Sequence, residues 1–304
     1  MQLSTNDLYL LSQCAISAAL QAGQMIANFD RDKLTVNTKE AGASLASQVV
    51  TEVDHLSQAI ILQTLQPGCD IYDLALLTEE SPDNGSRLEK DYFWCIDPLD
   101  GTLPFIEGVN GYSVSIALVS RDSTPIIGVI YDPVEQTLYH AVKGEGAFRN
   151  GKPWLLAEPQ VKKISSLIFI SDRSFIKHPQ YNELLIQLEK IAKTLGHSGV
   201  EMIQHGGGAM NACWVLEKSF ACYFKFPCEH PGGGGLWDFS ASACLFNEIN
   251  AVVSDFCGES LELNRPDSTF MNHRGVIYTT DDALAKLIIE LYEGLKYQDY
   301  EEGY

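Results

Sequence analysis

The sequence predicts an α+β first half and an α/β second half. Strand patterns between residues 92 and 142 follow one another with only turns between them, which indicates an antiparallel sheet. In the second half, strand and helix patterns alternate, as is typical of an α/β unit. The change from successive strand patterns to alternating strand and helix patterns falls around residues 155 to 163. We therefore expect one domain over residues 1–157 and a second over residues 158–304.

Two helices are predicted before the first sheet. Apolar residues recur at helical spacing over residues 5 to 30, which indicates a long amphipathic helix. A second helix is predicted over about residues 53 to 66, ending before Pro67-Gly68 because these residues usually stop a helix. Between the two helices, the small and polar residues 35 to 49 predict a mobile loop or a short hairpin.

The predicted strands of the first half span residues 92–96, 112–119, 126–132 and 137–142. They are followed by the sequence GEGAF at residues 144–148, which has some likeness to a phosphate-binding loop. Because it follows a hairpin strand and no helix pattern opens after it, we interpret it as a structural turn. The predicted strands of the second half are 167–171, 198–203, 221–225, 251–254 and 275–279. The predicted helices of that half are 179–194, 209–217, 238–248 and 281–293.

Composition narrows the class of function. The chain has 304 residues and a net charge of −19, which argues against nucleic-acid or membrane-surface partners, since these require a basic face. It has no apolar run long enough to span a membrane and no basic leader, so we expect a cytoplasmic protein. Its eight cysteines form no C-x-x-C pair and are expected to be buried, reduced thiols. The histidines form no H-x-x-x-H pair, which argues against zinc.

Two aspartates crowd the end of a hydrophobic strand. Asp97 and Asp100 follow the apolar run Tyr92 to Ile96, and Pro98 lies between them. Two carboxylates at a poorly solvated strand end repel each other, and a bound divalent cation would remove the conflict. Hard oxygen ligands without nearby His or Cys favour Mg²⁺ or Mn²⁺. Pro98 fixes one torsion and could turn the carbonyl of Leu99 inward as a further ligand.

Four other acidic residues have a similar context. Glu79 and Glu80 follow an apolar run, as the aspartates do. Asp54 begins the second predicted helix, and Asp238 follows four glycines at a helix start. For Asp54 and Asp238, helix capping is an equally simple explanation.

Gly101 and Thr102 follow the aspartates and predict the start of a short helical turn. Free backbone N–H groups at such a start can bind an anion, and the Thr102 hydroxyl can position a water. Carboxylate-bound metal beside an anion site is what hydrolysis of a phosphate ester requires.

These residues carry a family resemblance. Asp97 to Thr102 resembles the D-P-[IL]-D-G-T motif of the inositol monophosphatase family, whose members are Mg²⁺-dependent, lithium-sensitive phosphomonoesterases. Three further motifs follow the family's order over residues 5 to 290. Val50 to Asp54 resembles V-T-x-x-D, Thr78 to Ser81 resembles G-E-E-S with Thr78 in place of the glycine, and Trp237-Asp238 resembles W-D.

The resemblance implies a layered αβαβα sandwich, a homodimer, and two or three Mg²⁺ ions in the active site. The metal ligands that it implies are Glu79, Asp97, the Leu99 carbonyl, Asp100 and Asp238, with Asp54 assisting. It implies that Thr102 and Glu79 activate a water, and that the N–H groups of Gly101 and Thr102 hold the phosphate. Most of these ligands lie in the first predicted domain, and Asp238 lies in the second.

The substrate side departs from the inositol-type pattern. The family's G-T-A-A element is replaced by Gly207-Gly208-Ala209-Met210, and Lys225 resembles the basic residue of adenosine 3′,5′-bisphosphate nucleotidases. The substrate contacts that we predict are Gly101, Thr102, Gly207, Gly208, Ala209, Lys225 and Asp238. Three functions are therefore alternatives. They are a phosphatase of an inositol monophosphate-type substrate, a nucleotidase acting on adenosine 3′,5′-bisphosphate, and a non-catalytic protein that binds a phosphorylated metabolite. The glycines at 232–235 are a lid or a plain linker.

Overall fold

The structure is a computed structural model that describes residues 2–34, 36–38, 49–156 and 165–302. Within these ranges the elements form five layers in the order helix, sheet, helix, sheet, helix. The predicted αβαβα sandwich is therefore confirmed. The predicted domain boundary at residues 157 and 158 lies outside the described residues, and the two-domain division stays a prediction.

The outer helix layer of the first half contains α1 (Thr5–Asn28) and α2 (Glu52–Tyr72). Between them, β1 (Val36–Thr38) and β2 (Val49–Thr51) pair in antiparallel fashion, which favours the hairpin over the loop. Residue 35 and residues 39–48 of this predicted segment lie outside the described residues.

The predicted end of the second helix before Pro67 is wrong. Helix α2 continues to Tyr72 with Pro67 in its interior, although proline removes one backbone donor. Leu65 and Cys69, on either side of the proline, are buried in the core beneath this helix. Burial of these side chains outweighs the local preference, as tertiary packing often does.

The first sheet has seven strands among the described residues, in chain order across the sheet. The first two pair in parallel and the rest are antiparallel, as predicted for this half. A short helix, α3 (Thr102–Glu107), follows the second strand of this sheet. The strands are β3 (Ala75–Thr78), β4 (Tyr92–Asp100), β5 (Ser113–Ser120), β6 (Pro125–Asp132), β7 (Thr137–Val142), β8 (Gly146–Arg149) and β9 (Lys152–Pro153).

The second half alternates strands and helices, as its sequence predicts. Its elements are β10 (Leu167–Ile170), α4 (Tyr181–Thr194), β11 (Val200–Ile203), α5 (Gly208–Glu217), β12 (Ala221–Lys225), α6 (Leu236–Ile249), β13 (Val252–Ser254), β14 (Val276–Thr279) and α7 (Asp282–Glu302). In the described part of the chain, the second sheet has the order β11-β10-β12-β14-β13. Strand β10 pairs in parallel with both β11 and β12.

Three hydrophobic clusters separate the layers. One lies between α1, α2 and the first sheet, and includes Trp94 and Ile96. The second joins both sheets to α5 and α6, and includes Cys95 and Phe239. The third lies between the second sheet and α4 and α7, and includes Phe224. The start of α6 is thereby fixed against the first sheet, close to the end of β4.

Two glycine-rich segments are ordered by hydrogen bonds. The N–H groups of Gly144 and Gly146, at the β7–β8 turn, each donate to the Glu248 carboxylate at 2.9 Å. These donors are therefore occupied within the protein, which supports the structural interpretation of GEGAF. In the segment 232–235, the Gly234 carbonyl accepts from the Met271 N–H at 2.9 Å. Whether this segment acts as a lid stays a prediction.

All eight cysteines are free thiols. Five are buried, as expected, and Cys14 is half-buried, whereas Cys228 and Cys257 are exposed, so the expectation is wrong for these last two. Within the described ranges, no helix combines the length and the apolar character needed to cross a membrane.

Candidate metal centre

A bulge in β4 brings Asp97 and Asp100 to the same face of the first sheet. Asp97 lies opposite Ser115 of β5 and Asp100 lies opposite Ser113, so three steps along β4 match two along β5. In a regular strand, residues three apart point to opposite faces. The register shift, which contains Pro98, removes this difference. Both carboxylates therefore face the layer formed by α5 and α6.

Asp238 supplies the third carboxylate from the first turn of α6. One carboxylate oxygen from each of Asp97, Asp100 and Asp238 lies within 4.8 Å of the other two. Asp238 also caps the helix, which was the alternative explanation for this residue. Its Oδ2 accepts the Gly235 N–H at 3.0 Å. The Ser115 hydroxyl donates to the carbonyl of Trp237 at 3.0 Å and ties the helix start to β5.

The first turn of α5 holds the carboxylate of Asp100. The N–H of Gly208 donates to Asp100 Oδ1 at 2.9 Å, and the N–H of Ala209 donates to Oδ2 at 2.8 Å. Such a helix start stabilises an anion through its unpaired donors and its partial positive charge. The substrate contacts predicted for Gly207, Gly208 and Ala209 stay predictions, and the N–H groups of the last two are already bonded to Asp100.

Burial and neighbouring charges raise the pKa values of Asp100 and Asp238. Burial raises the pKa of Asp100, and the charges of Asp238 and Glu79 raise it further. Burial likewise raises the pKa of Asp238, against the opposing effect of the Lys225 charge, and Glu79 again contributes. Glu79 follows β3, and its N–H donates to the carbonyl of Ile96 at 3.1 Å. The negative charges of Asp100, Asp238 and Glu79 thus act on one another, and a bound cation would neutralise them.

Asp54 both caps a helix and reaches the centre. Its Oδ2 accepts the N–H and the hydroxyl of Thr51 at 2.8 and 2.6 Å, which forms the capping box of α2. Its Oδ1 lies 3.2 Å from the Thr102 hydroxyl, which is also 3.3 Å from the Leu99 carbonyl oxygen. Burial raises the pKa of Asp54, and the Thr51 hydrogen bonds oppose this shift.

Gly101 makes the sharp turn between β4 and α3. Its φ is +87°, and a Cβ at this position would lie 2.8 Å from the carbonyl oxygen of Gly111. Both the conformation and the close approach therefore require glycine. This turn carries Thr102 into the buried space beside Asp54.

Lys225 lies at the edge of the centre in an ion pair that sequence reasoning missed. Its Nζ is 2.7 Å from Oδ2 of Asp172, whose Oδ1 accepts from the Tyr223 hydroxyl at 3.1 Å and from the Asn211 amide at 3.2 Å. Burial lowers the pKa of Lys225, but the charges of Asp172 and Asp238 outweigh it, so the pKa is raised. Lys225 is therefore expected to be protonated at neutral pH. Asp172 follows a predicted strand, but no motif marks it.

The donor set of the centre fits Mg²⁺. Among the described residues, the group of side chains close enough to share an ion consists of Asp97, Asp100 and Asp238, and contributes oxygen atoms only. Buried carboxylates of this kind are the ligands that Mg²⁺ prefers, whereas zinc prefers nitrogen and sulfur.

Comparisons with known proteins find relatives in sequence and in fold. The family model described as the inositol monophosphatase family matches residues 7–296. "Nus factor SuhB" of Escherichia coli (strain K12) is 30% identical over 245 residues, which cover 80% of this chain and 84% of that protein. "Inositol monophosphatase 2" of Homo sapiens is 29% identical over 255 residues, which cover 83% and 82%. The solved structure of inositol monophosphatase from Anabaena (Nostoc) sp. PCC 7120 has a TM-score of 0.67 at 23% identity, covers 93% and 96% of the two chains, and shows the shared fold.

Proposed function

Because the chain belongs to the inositol monophosphatase family, we propose that it is a Mg²⁺-dependent phosphomonoesterase of a small phosphorylated metabolite. The observation that carries this proposal is the cluster of the buried Asp97 and Asp100 with the half-buried Asp238, in which one carboxylate oxygen of each lies within 4.8 Å of the other two. Asp100 and Asp238 have raised pKa values, and such crowding of carboxylates is unfavourable unless the group binds cations or takes part in chemistry.

The residues proposed to hold two or three Mg²⁺ ions are Glu79, Asp97, the Leu99 carbonyl, Asp100 and Asp238, assisted by Asp54. When bound, the metal would lower the pKa of a water and neutralise charge on the phosphate. Asp100 is suited to this role because its two helix N–H partners leave one acceptor position on each oxygen.

Thr102 is proposed to orient the attacking water, together with Glu79. Its hydroxyl proton has two acceptors within reach, Asp54 Oδ1 and the Leu99 carbonyl. When the proton is donated to either of them, the Thr102 oxygen can accept a hydrogen bond from a water. That bond orients the water and therefore the direction of its lone pair. Glu79, whose charge already acts on the same centre, would accept the water's proton.

The substrate phosphate is proposed to lie against the N–H groups of Gly101 and Thr102. The rest of the substrate would lie between residues 207–209 and Lys225, with Asp238 also in contact. We take an inositol monophosphate-type compound as the first substrate class, in line with the family.

Lys225 supports a second candidate function. A protonated lysine beside the centre suits a substrate with a second anionic group, such as the second phosphate of adenosine 3′,5′-bisphosphate. Asp172 holds the ammonium by one N–H, which leaves two for a ligand. This favours a bisphosphate nucleotidase as the alternative to the inositol-type phosphatase.

A parallel assay tests the proposal. The purified chain is given inositol 1-phosphate, fructose 1,6-bisphosphate and adenosine 3′,5′-bisphosphate, and phosphate release is followed with Mg²⁺ or with EDTA. We expect release that requires Mg²⁺ and is inhibited by Li⁺ or Ca²⁺. Release that persists without divalent metal would contradict the mechanism. The substrate with the highest kcat/KM identifies the class, each tenfold preference being about 1.4 kcal/mol.

Lys225→Met separates the two substrate classes, with Lys225→Arg as the charge-retaining control. If a second phosphate binds Lys225, the methionine variant raises KM for the bisphosphates about tenfold or more and leaves inositol 1-phosphate little changed, since a charged hydrogen bond is worth roughly 1.5–3 kcal/mol. Equal effects on all substrates would exclude this role.

The remaining alternative is a non-catalytic protein that binds a phosphorylated metabolite. The presence of a carboxylate at each predicted side-chain ligand position favours catalysis instead. We also propose a homodimer in the cytoplasm, without nucleic-acid or membrane partners. Light scattering tests the dimer, and fluorescence titration with RNA and with anionic vesicles tests the other two statements.

A further inference from the structure

Ser113 of β5 carries a buried hydroxyl that no group of the described residues satisfies. Its side chain is fully buried, and its Oγ has no hydrogen-bond partner among the residues that the structure describes. A buried hydroxyl without a partner is unfavourable, and most such groups in proteins bind a neighbour or an ordered water. The position therefore calls for a partner other than the described side chains and backbone groups, such as an ordered water.

The register of the first sheet places this hydroxyl at the metal centre. Ser113 lies directly opposite Asp100 in the β4–β5 pair. Alternate residues of β5, Val114 and Ile116, belong to the core beneath α1 and α2, whereas Ala117 belongs to the core around α5 and α6. Ser113 and Ala117 are four residues apart on one strand, so their side chains point to the same face of the sheet. This is the face that carries Asp100. Residues opposite each other in an antiparallel pair have neighbouring side chains.

Ser115 provides an internal comparison. It lies two residues further along the same strand and face, opposite Asp97, and is also fully buried. Its hydroxyl donates to the carbonyl of Trp237 at 3.0 Å, so its role is explained within the protein. Asp100, the neighbour of Ser113, takes its two protein hydrogen bonds from backbone N–H groups of α5. The Ser113 hydroxyl is thus available to a non-protein partner at this centre.

We propose that Ser113 is a positioning residue that hydrogen-bonds a water of the hydration shell of the Mg²⁺ held at Asp100. Mg²⁺ gives up its waters reluctantly and keeps several of them in protein sites. Groups that orient such waters and ligands contribute to metal affinity without touching the ion. Of the proposed function, this inference uses only the binding of Mg²⁺.

Calorimetric titration of the metal-free full chain with Mg²⁺ tests the inference. For Ser113→Ala we expect a dissociation constant about tenfold or more above that of the wild type, the usual effect of losing such a group. The melting temperature in EDTA should stay unchanged or rise, because the variant removes an unpaired buried hydroxyl. Ser113→Cys keeps the side-chain volume with a weak hydrogen-bonding group and should weaken binding in the same direction.

The matched control is Ser12→Ala. Ser12 is also a buried serine, but it lies in α1 and its hydroxyl donates to the carbonyl of Tyr9 at 2.8 Å. This variant should bind Mg²⁺ as the wild type does. Wild-type affinity in both Ser113 variants would overturn the inference, as would equal weakening in Ser12→Ala.

The proposed function and this inference fail in different ways. If the wild type binds Mg²⁺ but releases no phosphate, the phosphatase proposal fails, and weaker binding in Ser113→Ala still supports the inference. If the wild type releases phosphate and Ser113→Ala binds Mg²⁺ unchanged, the inference alone is overturned. Absence of any Mg²⁺ binding by the wild type overturns both.

Discussion

Gly207 lies directly against the carboxylate of Asp100, and a Cβ at Gly207 would be 2.5 Å from each of the two carboxylate oxygens. The same oxygens accept the N–H groups of the next two residues, Gly208 and Ala209. The glycine therefore allows a carboxylate at the end of a strand to cap a helix from the other half of the chain. This contact fixes the direction of Asp100 toward the metal centre.

Gly207→Ala is expected to weaken Mg²⁺ binding by about tenfold or more, the range seen when a group that orients a metal ligand is lost. The added methyl group must displace the Asp100 carboxylate, since the contact is far shorter than van der Waals distance. Calorimetric titration with Mg²⁺ measures the change. The control is Gly294→Ala in α7, where the added Cβ would meet no atom within 4 Å. This variant should raise helix stability by about 1 kcal/mol. Unchanged affinity in Gly207→Ala would show that Asp100 is not held by this contact.

Asp238→Asn should raise stability without metal and abolish function. The substitution removes one of the crowded charges that raise the pKa of Asp100. The melting temperature in EDTA should therefore rise, whereas stabilisation by Mg²⁺ and Mg²⁺-dependent phosphate release should be lost, the latter by about a thousandfold or more, a loss typical of removing one essential charge-stabilising group. The control is Asp70→Asn at an exposed carboxylate of α2. A variant that keeps its Mg²⁺ response would remove Asp238 from the ligands.

The sequence predicted most of the elements because they depend on local patterns, and the family resemblance implied that the acidic residues converge. Hydrophobic periodicity marked β4 and α6, and Asp97, Asp100 and Asp238 each follow or begin such a pattern. The charge conflict indicated a cation between Asp97 and Asp100, and only the family motifs implied that Asp238 joins them, as its approach within 4.8 Å shows. The extension of α2 past Pro67 was missed because it depends on the burial of Leu65 and Cys69.

Other features of the site depend on strand order and register, which a single sequence does not determine. Asp172 and Lys225 meet because β10 and β12 are parallel neighbours and both residues lie at the same end of the sheet. The pairing of Asp100 with Ser113 depends on the bulge in β4. A serine in an apolar strand gives no local sign that it faces a metal centre.

The stability of the metal-free protein should fall as the pH rises. The pKa values of Asp100 and Asp238 are raised in the folded protein, whereas the unfolded chain has ordinary values near 4. Between these values the folded state binds more protons than the unfolded state, so the free energy of unfolding decreases with increasing pH. The stabilising contribution of the protonated groups is complete below the unfolded pKa and is lost as pH rises through the folded one.

Melting temperatures in EDTA between about pH 5 and about pH 8 measure this effect. The double variant Asp100→Asn/Asp238→Asn should show a shallower decline than the wild type, because other titratable groups are common to both. Mg²⁺ should stabilise the wild type more at the upper end of this range, since it binds the deprotonated carboxylates. Identical slopes in the wild type and the double variant would contradict the raised pKa values.

Thr102→Ala should lower kcat much more than it changes KM. The Thr102 hydroxyl lies 3.2 Å from Asp54 Oδ1 and 3.3 Å from the Leu99 carbonyl oxygen, so its proton is directed away from the water that it is proposed to orient. Loss of an interaction made mainly in the transition state lowers kcat and kcat/KM together, by roughly a hundredfold or more for a group that handles the nucleophile's proton.

Thr102→Ser is the matched variant, because it keeps the hydroxyl and removes only a methyl group. Thr102 is buried, with 8% of its surface exposed, so the serine should retain the Asp54 contact and most of the activity. Steady-state phosphate release over a range of substrate concentrations gives both constants for each variant. A rise in KM without a fall in kcat would move Thr102 from water activation to substrate binding. Equal losses in the alanine and serine variants would indicate that the methyl group, through packing, is what the site requires.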